Sequence, residues 1–232
     1  MKVAREGYMF IGLAAFAAGA TIARAAAHPS TPRIALAMVL FVLAVWVVAF
    51  FRDPERDGER GPGVVIAPAD GRVVFVGPVD EPAFIGGTAT RVSIFMSVFN
   101  VHVNRYPITG TVLYAHYNRG RFMSAARDKA SLENEQMSLG IAGGPGVPSD
   151  PSPGPSADRR VLVRQIAGLI ARRIVTYGGV GDAVVQGERL GLIRFGSRVD
   201  VFLPPDARIA VAVGDRTAAG MTVVARWTEA AR

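Results

Sequence analysis

Two long apolar stretches within the first 51 residues constrain the fold of this chain more than any other feature. They run from Gly7 to Ala23 and from Ile34 to Phe51, and neither contains a charged residue. Each is close to the minimum length that an α-helix needs to cross the hydrocarbon core of a bilayer. The short connector between them contains two prolines, which favour a tight turn. The sequence therefore predicts a transmembrane helical hairpin over residues 1–51 and a separate domain over residues 52–232.

The distribution of basic residues predicts the orientation of this hairpin. Basic residues before and after the two stretches outnumber those in the connector: Lys2, Arg5, Arg52, Arg56 and Arg60 against Arg24 and Arg33. The positive-inside rule then places both ends of the hairpin, and the following domain, on the cytoplasmic side of the cell (inner) membrane. A second interpretation takes residues 1–27 as a cleaved signal peptide, because small residues at 25–27 would suit a peptidase. With the second stretch still spanning the membrane, the domain would remain in the same compartment.

Composition excludes several classes of chemistry. The chain has no cysteine, so disulfide scaffolds and thiolate nucleophiles or metal sites are ruled out. Its three histidines are too scattered to indicate a metal site, and we expect none. The formal net charge of +7 favours anionic partners, either nucleic acid or lipid head groups. Nucleic acid fits worse, because the arginines are dispersed and no recognised binding module is present.

The domain after the hairpin has the pattern of a mainly β protein. Short runs rich in Val, Ile and Phe alternate with Gly, Pro and Asp breaks. We predict strands at Gly71–Val79, Thr90–Met96, Gly110–Tyr117, Val161–Ile166, Arg172–Thr176, Gly191–Ile193, Val199–Leu203 and Thr222–Trp227. The polar segment 124–139 could hold a helical turn, and residues 143–157, saturated with Gly, Pro and Ser, predict a flexible surface loop.

Four residues become candidates for chemistry, although each has an ordinary structural explanation when it is taken alone. Gly196 and Ser197 form a Gly-Ser pair between two predicted strands, and such a pair is typical of a tight turn. Asp70 precedes a glycine, as turn aspartates do. His102 falls at a predicted strand end, where a histidine commonly bonds to the backbone.

Five ordered sequence blocks change this interpretation when they are read together. They are Ala-Pro-Ala-Asp-Gly at 67–71, Phe-Met-Ser-Val-Phe-Asn-Val-His-Val-Asn-Arg at 95–105, Asp-Lys-Ala-Ser-Leu-Glu-Asn-Glu at 128–135, Gln-Ile-Ala-Gly-Leu-Ile-Ala-Arg-Arg at 165–173 and Phe-Gly-Ser-Arg-Val-Asp at 195–200. The set closely resembles the phosphatidylserine decarboxylases, in particular their short bacterial and archaeal form. The resemblance implies a barrel-sandwich-like (lipoyl-like) β domain after the membrane anchor.

The resemblance also implies a self-cleaving proenzyme. Ser197 would attack the Gly196 carbonyl, and elimination would then split the chain into 1–196 and 197–232, which remain together as a heterodimer. Ser197 would become a covalent pyruvoyl group, so no external cofactor is expected. That group would form a Schiff base with phosphatidylserine and release carbon dioxide and phosphatidylethanolamine.

The roles of the other candidate residues follow from the same resemblance. His102 would be the proton donor in turnover, and Asp70 would belong to a charge relay that activates Ser197. Longer members carry a second histidine three positions after the first, but here Arg105 stands there, so the relay is incomplete; His102 would serve twice, or another base, of which His116 is a weak candidate, would act. Candidate anion contacts are Arg105, Arg119, Arg121 and Lys129.

Two rival functions remain open at this stage. A non-enzymatic membrane adaptor with a lipoyl-like domain would explain the hairpin and the strands, and it predicts an uncleaved chain. A pyruvoyl decarboxylase of a soluble amino acid would keep the cleavage but leave the hairpin without a role.

Overall fold

The computed structural model describes residues 2–120, 134–143, 159–168, 173–194 and 197–228. The chain divides into two compact units, Met1–Glu55 and Arg56–Arg232. The first unit is helical and the second consists of β-strands.

The amino-terminal unit is a pair of apolar helices. Helix α1 spans Tyr8–Ala27 and helix α2 spans Thr31–Phe50, and they are followed by the short strand β2 (Arg52–Asp53), which pairs with β1 (Lys2–Val3). A proline in the first turn of α2 suits that position, because its missing N–H would have no helical partner there. The two helices predicted from sequence are therefore confirmed, although α1 continues four residues beyond Ala23.

Both helices are apolar around their whole circumference. Large side chains such as Leu13, Phe16 and Val42 are 66–75% exposed. The mean hydropathy of the two segments, 1.6 for Arg5–Ala27 and 2.6 for Thr31–Phe50, is high enough for each to cross a membrane. Exposed apolar surface on this scale is stable against lipid rather than water, so the unit is consistent with membrane association.

The second unit is built from antiparallel sheets. Its strands are β3 (Val64–Ile66), β4 (Gly71–Glu81), β5 (Gly87–Met96), β6 (Val103–Arg105), β7 (Gly110–Asn118), β8 (Gln136–Gly143), β9 (Arg159–Ala167), β10 (Ile174–Thr176), β11 (Ala183–Val184), β12 (Arg189–Ile193), β13 (Ser197–Leu203), β14 (Ala207–Ile209), β15 (Arg216–Thr217) and β16 (Val223–Trp227). The largest sheet has eight strands in the order β11-β7-β8-β9-β13-β5-β4-β15, and two three-stranded sheets, β10-β12-β6 and β14-β16-β3, accompany it. The predicted mainly β, barrel-like class is confirmed.

Strand β13 lies at the centre of the largest sheet and is buried on both faces. Val199, Val201 and Leu203 point into the main hydrophobic core, as the period of two along a strand requires. Phe202 belongs to a second cluster on the opposite face, together with Phe84. β13 is hydrogen-bonded to β9 on one side and to β5 on the other.

The strand predictions are confirmed, with one correction. Each predicted strand corresponds to an observed one, although only the part of Arg172–Thr176 from 173 onward is described. The helical turn suggested within 124–139 is wrong for the described end of that segment, because Gln136–Gly143 pairs with β7 and β9 as a strand. The rest of that segment, and the loop predicted at 143–157 beyond its first residue, lie outside the described residues.

Candidate active site

Ser197 is the first residue of β13 and is completely buried. Its backbone lies opposite Met96 of β5 on one side and Ala167 of β9 on the other. Its side chain points to the same face as Val199, into the core, where the Oγ atom lies 3.4 Å from the Sδ atom of Met96. A serine hydroxyl is thus enclosed in an apolar environment at the start of a rigid strand.

A chain of buried amides reaches the same methionine sulfur. The Nδ2 atom of Asn104 lies 3.7 Å from Sδ of Met96, and its Oδ1 accepts a hydrogen bond from Nε2 of Gln165 at 2.8 Å. The Oε1 atom of Gln165 in turn accepts from the hydroxyl of Thr176 at 3.1 Å. Asn104 and Gln165 are at most 1% exposed, and these contacts offset the free-energy cost of burying two polar side chains.

Sequence reasoning missed both amides, although Asn104 lies in the block 95–105 and Gln165 opens the block 165–173. The available signal was a carboxamide in the inward-facing position of an otherwise apolar strand, as Gln165 shows between Val163 and Ala167. Such residues need buried partners, and here the partners lead to Ser197.

His102 is also completely buried and lies just before β6. Its Nδ1 atom is 3.0 Å from the carbonyl oxygen of Asn100. A carbonyl can only accept a hydrogen bond, so Nδ1 carries a proton, and in the neutral ring Nε2 carries the lone pair. The loop is fixed locally, because Oδ1 of Asn100 accepts from both the backbone N–H and the hydroxyl of Ser97 at 2.8 Å.

The last two residues of the block 128–135, which the structure describes, are hydrogen-bonded to β9, the strand that pairs with β13 at Ser197. Nδ2 of buried Asn134 donates to the carbonyl of Ala167 at 2.7 Å, and the N–H of Ala167 donates to the carbonyl of Glu135 at 2.9 Å. Since Ala167 lies opposite Ser197, this segment closes one side of the serine environment.

Asp70 occupies a different position. Its carboxylate accepts hydrogen bonds from Arg56 and from the backbone N–H of Ala219 at 2.8 Å, and within the described residues none joins it to Ser197 or His102. It immediately precedes β4, two strands away from β13, which corresponds to about 10 Å. The predicted relay role of Asp70 therefore stays a prediction.

The remaining candidates lie around or away from this centre. Gly196, Arg121 and Lys129 lie outside the described residues. Nη1 of Arg105 donates to the carbonyl of Gly187 at 2.9 Å. His116 and Arg119 are exposed, and the ring of His116 lies beside that of Tyr114, which packs on the sheet face opposite to Ser197. His116 is therefore poorly placed to act as the missing base.

The chain is similar to known proteins over most of its length. The profile of the phosphatidylserine decarboxylase family matches residues 43–225. The phosphatidylserine decarboxylase proenzyme of Symbiobacterium thermophilum is 47% identical over 225 residues, covering 97% of this chain and 95% of that protein. The proenzymes of Syntrophotalea carbinolica and Geobacter metallireducens are 48% and 45% identical, each over 96% of this chain and 95% of their own length. The chain has a buried serine within the matched residues and is 47% identical to one of these proenzymes over 97% of its length, so it belongs to the phosphatidylserine decarboxylase family.

Proposed function

We propose that the chain is a proenzyme that cleaves itself between Gly196 and Ser197 and then decarboxylates phosphatidylserine to phosphatidylethanolamine. The observation that carries this proposal is the burial of Ser197 at the start of β13, inside a chain that matches the family over residues 43–225. A turn serine of no chemical importance would be exposed to solvent, as turns usually are.

Cleavage follows from the chemistry of a serine after a glycine. The Oγ atom of Ser197 adds to the carbonyl carbon of Gly196, and the peptide C–N bond breaks to give an ester. Removal of the α-proton of Ser197 then expels the carboxylate of Gly196 and leaves a dehydroalanine. Water converts this residue into a pyruvoyl group with release of ammonia, so the smaller chain begins with a ketone instead of an amine.

The strand order supports retention of both products. The smaller chain, 197–232, would contribute β13 between β9 and β5, β15 beside β4, and β16 beside β3. Every one of these partners belongs to the larger chain, so the two products remain a heterodimer without a covalent link. The new chain start also remains buried opposite Met96 and Ala167, in the dry environment that suits a reactive ketone.

The pyruvoyl group would supply a carbonyl that bonds covalently to the substrate amine and accepts the electrons released when carbon dioxide leaves. His102 is our proposed proton donor to the product: with Nδ1 donating to the Asn100 carbonyl, Nε2 is the nitrogen that would take up a proton and pass it to the product. Asn104 and Gln165 position polar hydrogens on the core side of β13. Asp70 keeps its proposed part in the charge relay of cleavage, and its carboxylate is oriented by Arg56 and by the N–H of Ala219.

The membrane provides the substrate. Two apolar helices tether the enzyme at a bilayer, and the excess of basic residues outside their connector supports a location at the cell membrane with the β domain on the cytoplasmic side. A tethered domain meets lipid head groups at high effective concentration.

Intact mass spectrometry of the denatured protein tests the proposal. We expect two chains that divide between Gly196 and Ser197, the smaller one blocked by a pyruvoyl group, and carbon dioxide release from phosphatidylserine but not from free serine. Ser197→Ala should give one full-length chain, while Ser93→Ala, which removes another buried hydroxyl, should still cleave. A wild-type chain that remains intact would favour the membrane adaptor, and turnover of free serine alone would favour a decarboxylase of soluble amino acids.

A further inference from the structure

Two arginines lie directly opposite each other at the edge of the largest sheet. Arg72 of β4 pairs with Arg216 of β15, and both side chains are exposed. Like charges in directly opposed positions of a sheet destabilise it unless something compensates them. Within the described part of the chain, neither guanidinium makes a salt bridge or a side-chain hydrogen bond.

Neighbouring carboxylates do not compensate this pair. Asp70 is bound by Arg56, and Asp215 accepts a hydrogen bond from the N–H of Ala212 at 2.8 Å. A second opposed pair, Arg208 and Arg226, shows the alternative arrangement, because Glu59 binds Arg226 through two contacts of 2.7 and 2.8 Å. Among the residues that the structure describes, no carboxylate thus binds the cationic pair of Arg72 and Arg216.

The two arginines face a cavity of about 420 Å³. Its lining consists of Gly71, Arg72, Phe95, Ser97, Asn100 and Arg216. Ser97 and Asn100 belong to the loop that holds His102 through the Asn100 carbonyl, and Ser97 directly follows Met96, the residue in contact with Ser197. The cavity therefore lies beside the start of β13, on the sheet face of Arg72 and Phe95, which is opposite to the face that carries the side chains of Met96 and Ser197.

We propose that Arg72 and Arg216 bind the phosphodiester of the substrate head group in this cavity, an inference that rests on the proposed function. Guanidinium groups pair with phosphate oxygens through two parallel hydrogen bonds, and two such groups side by side match a phosphodiester anion. The substrate carboxylate has to lie at the reacting centre from which it departs, so the phosphodiester is the anionic group left for a more distant site.

The distance between Arg72 and Ser197 agrees with separate sites for the phosphodiester and the carboxylate. Strand β5 alone separates β4 from β13, so the backbone of Arg72 is about 10 Å from that of Ser197. Because Arg72 projects from the face opposite to Ser197, an extended head group would pass the end of β5, at Ser97, to join the two positions. Phe99, in the same loop as Ser97 and Asn100, is 72% exposed and offers an aromatic side chain to the glycerol and acyl region of a bound lipid.

Steady-state kinetics with a water-soluble, short-chain phosphatidylserine in nonionic micelles test the site. Such micelles present no charged surface that could attract the arginines by itself. The double variant Arg72→Gln, Arg216→Gln should cleave itself like the parent but show a KM roughly tenfold or more higher, with kcat little changed. Arg72→Lys should lose less than Arg72→Gln, since charge is kept and paired hydrogen bonding is lost. Arg208→Gln, taken from the compensated pair, should match the parent.

A binding experiment provides a readout that does not need turnover. In calorimetry with the uncleaved Ser197→Ala protein, glycerophosphoserine should bind, glycerophosphate should compete with it and serine should not; the double arginine substitution should abolish binding. An unchanged KM in the double variant, competition by serine alone, or equal affinity for inorganic phosphate would overturn the assignment. Failure of the parent to decarboxylate phosphatidylserine would instead refute the proposed function, and the binding result would still report on the site.

Discussion

Arg56 holds both carboxylate oxygens of Asp70 through one terminal nitrogen, 2.9 Å from Oδ1 and 2.8 Å from Oδ2. The two side chains are only 12% and 14% exposed, so solvent screens the pair weakly. Asp70 therefore connects the segment after the apolar helices to the start of β4, whatever part it takes in cleavage.

Removal of the cation from this pair should destabilise the β domain. We expect Arg56→Gln to lower the free energy of unfolding by about 1–3 kcal/mol, because the Asp70 carboxylate loses a charge-assisted partner while it remains largely buried. Thermal unfolding of the purified protein measures the change. The control Glu59→Gln breaks the exposed pair with Arg226 and should leave the midpoint unchanged; equal losses in both variants would contradict this interpretation.

His102 should separate maturation from turnover. In His102→Ala we expect complete self-cleavage, with turnover reduced roughly 10²- to 10⁴-fold, as for the loss of a general acid. Mass spectrometry and carbon dioxide release give the two quantities on one sample. His116→Ala should affect neither, because His116 lies on the other face of the sheet. An uncleaved His102→Ala chain would assign the residue to cleavage as well.

Asn104 should matter for both stability and cleavage. Asn104→Ala leaves Nε2 of Gln165 without its buried acceptor, which should cost about 1–3 kcal/mol, and it should slow chain cleavage because the environment of Met96 and Ser197 loosens. Gln186→Ala is a matched control, since Gln186 is a buried amide bonded to the carbonyls of Val64 and Pro107, in another part of the domain. It should lose stability but cleave at the normal rate.

Tyr106 should make the domain sensitive to alkali. Burial, assisted by the negative charges of Asp182 and Glu188, raises the pKa of Tyr106 from 10.0 to about 12. The unfolded chain releases this proton at the lower value, so the stabilisation is complete below pH 10 and is lost as the pH rises to about 12. Unfolding midpoints of Tyr106→Phe should fall less steeply than those of the wild type across this range; parallel curves would exclude the effect.

The absence of cysteine allows a direct test of membrane orientation. Single substitutions His28→Cys, between the two helices, and Asp57→Cys, after them, place one thiol each at exposed positions of a cysteine-free chain. In intact spheroplasts an impermeant maleimide should label position 28 and should label position 57 only after lysis. The reverse pattern would place the β domain outside the cell.

The elements that the sequence predicted well are those with a local signal. Uninterrupted apolar runs predicted both helices, and runs rich in Val, Ile and Phe between breaks predicted strands such as β5 and β13. The short strands β1, β2, β3, β6, β11, β14 and β15 were missed, because two or three residues carry no period and their pairing is decided by their partner strands. The strand Gln136–Gly143 was missed for a related reason: its polar and small residues pack between β7 and β9, and only that context favours a strand.

The same distinction between local signals and contacts made by folding applies to the candidate site. Ser197 and His102 could be predicted as candidates because they lie in contiguous sequence blocks. The contact of Gln165 with Asn104 spans 61 positions of the chain, and the contacts of Asp70 with Arg56 and of Asn104 with Met96 join different segments, so no periodic pattern reveals them.

The central position of β13 has a consequence for the life of the enzyme. Before cleavage, this seven-residue strand enters the sheet as part of one continuous chain, so its insertion is a unimolecular event. After the proposed cleavage, a molecule that unfolds has to recover β13 from a separate peptide and thread it back between β9 and β5. Refolding then requires two separate chains to meet at low concentration, which is slow. The working lifetime of a mature enzyme molecule is therefore set by its rate of unfolding.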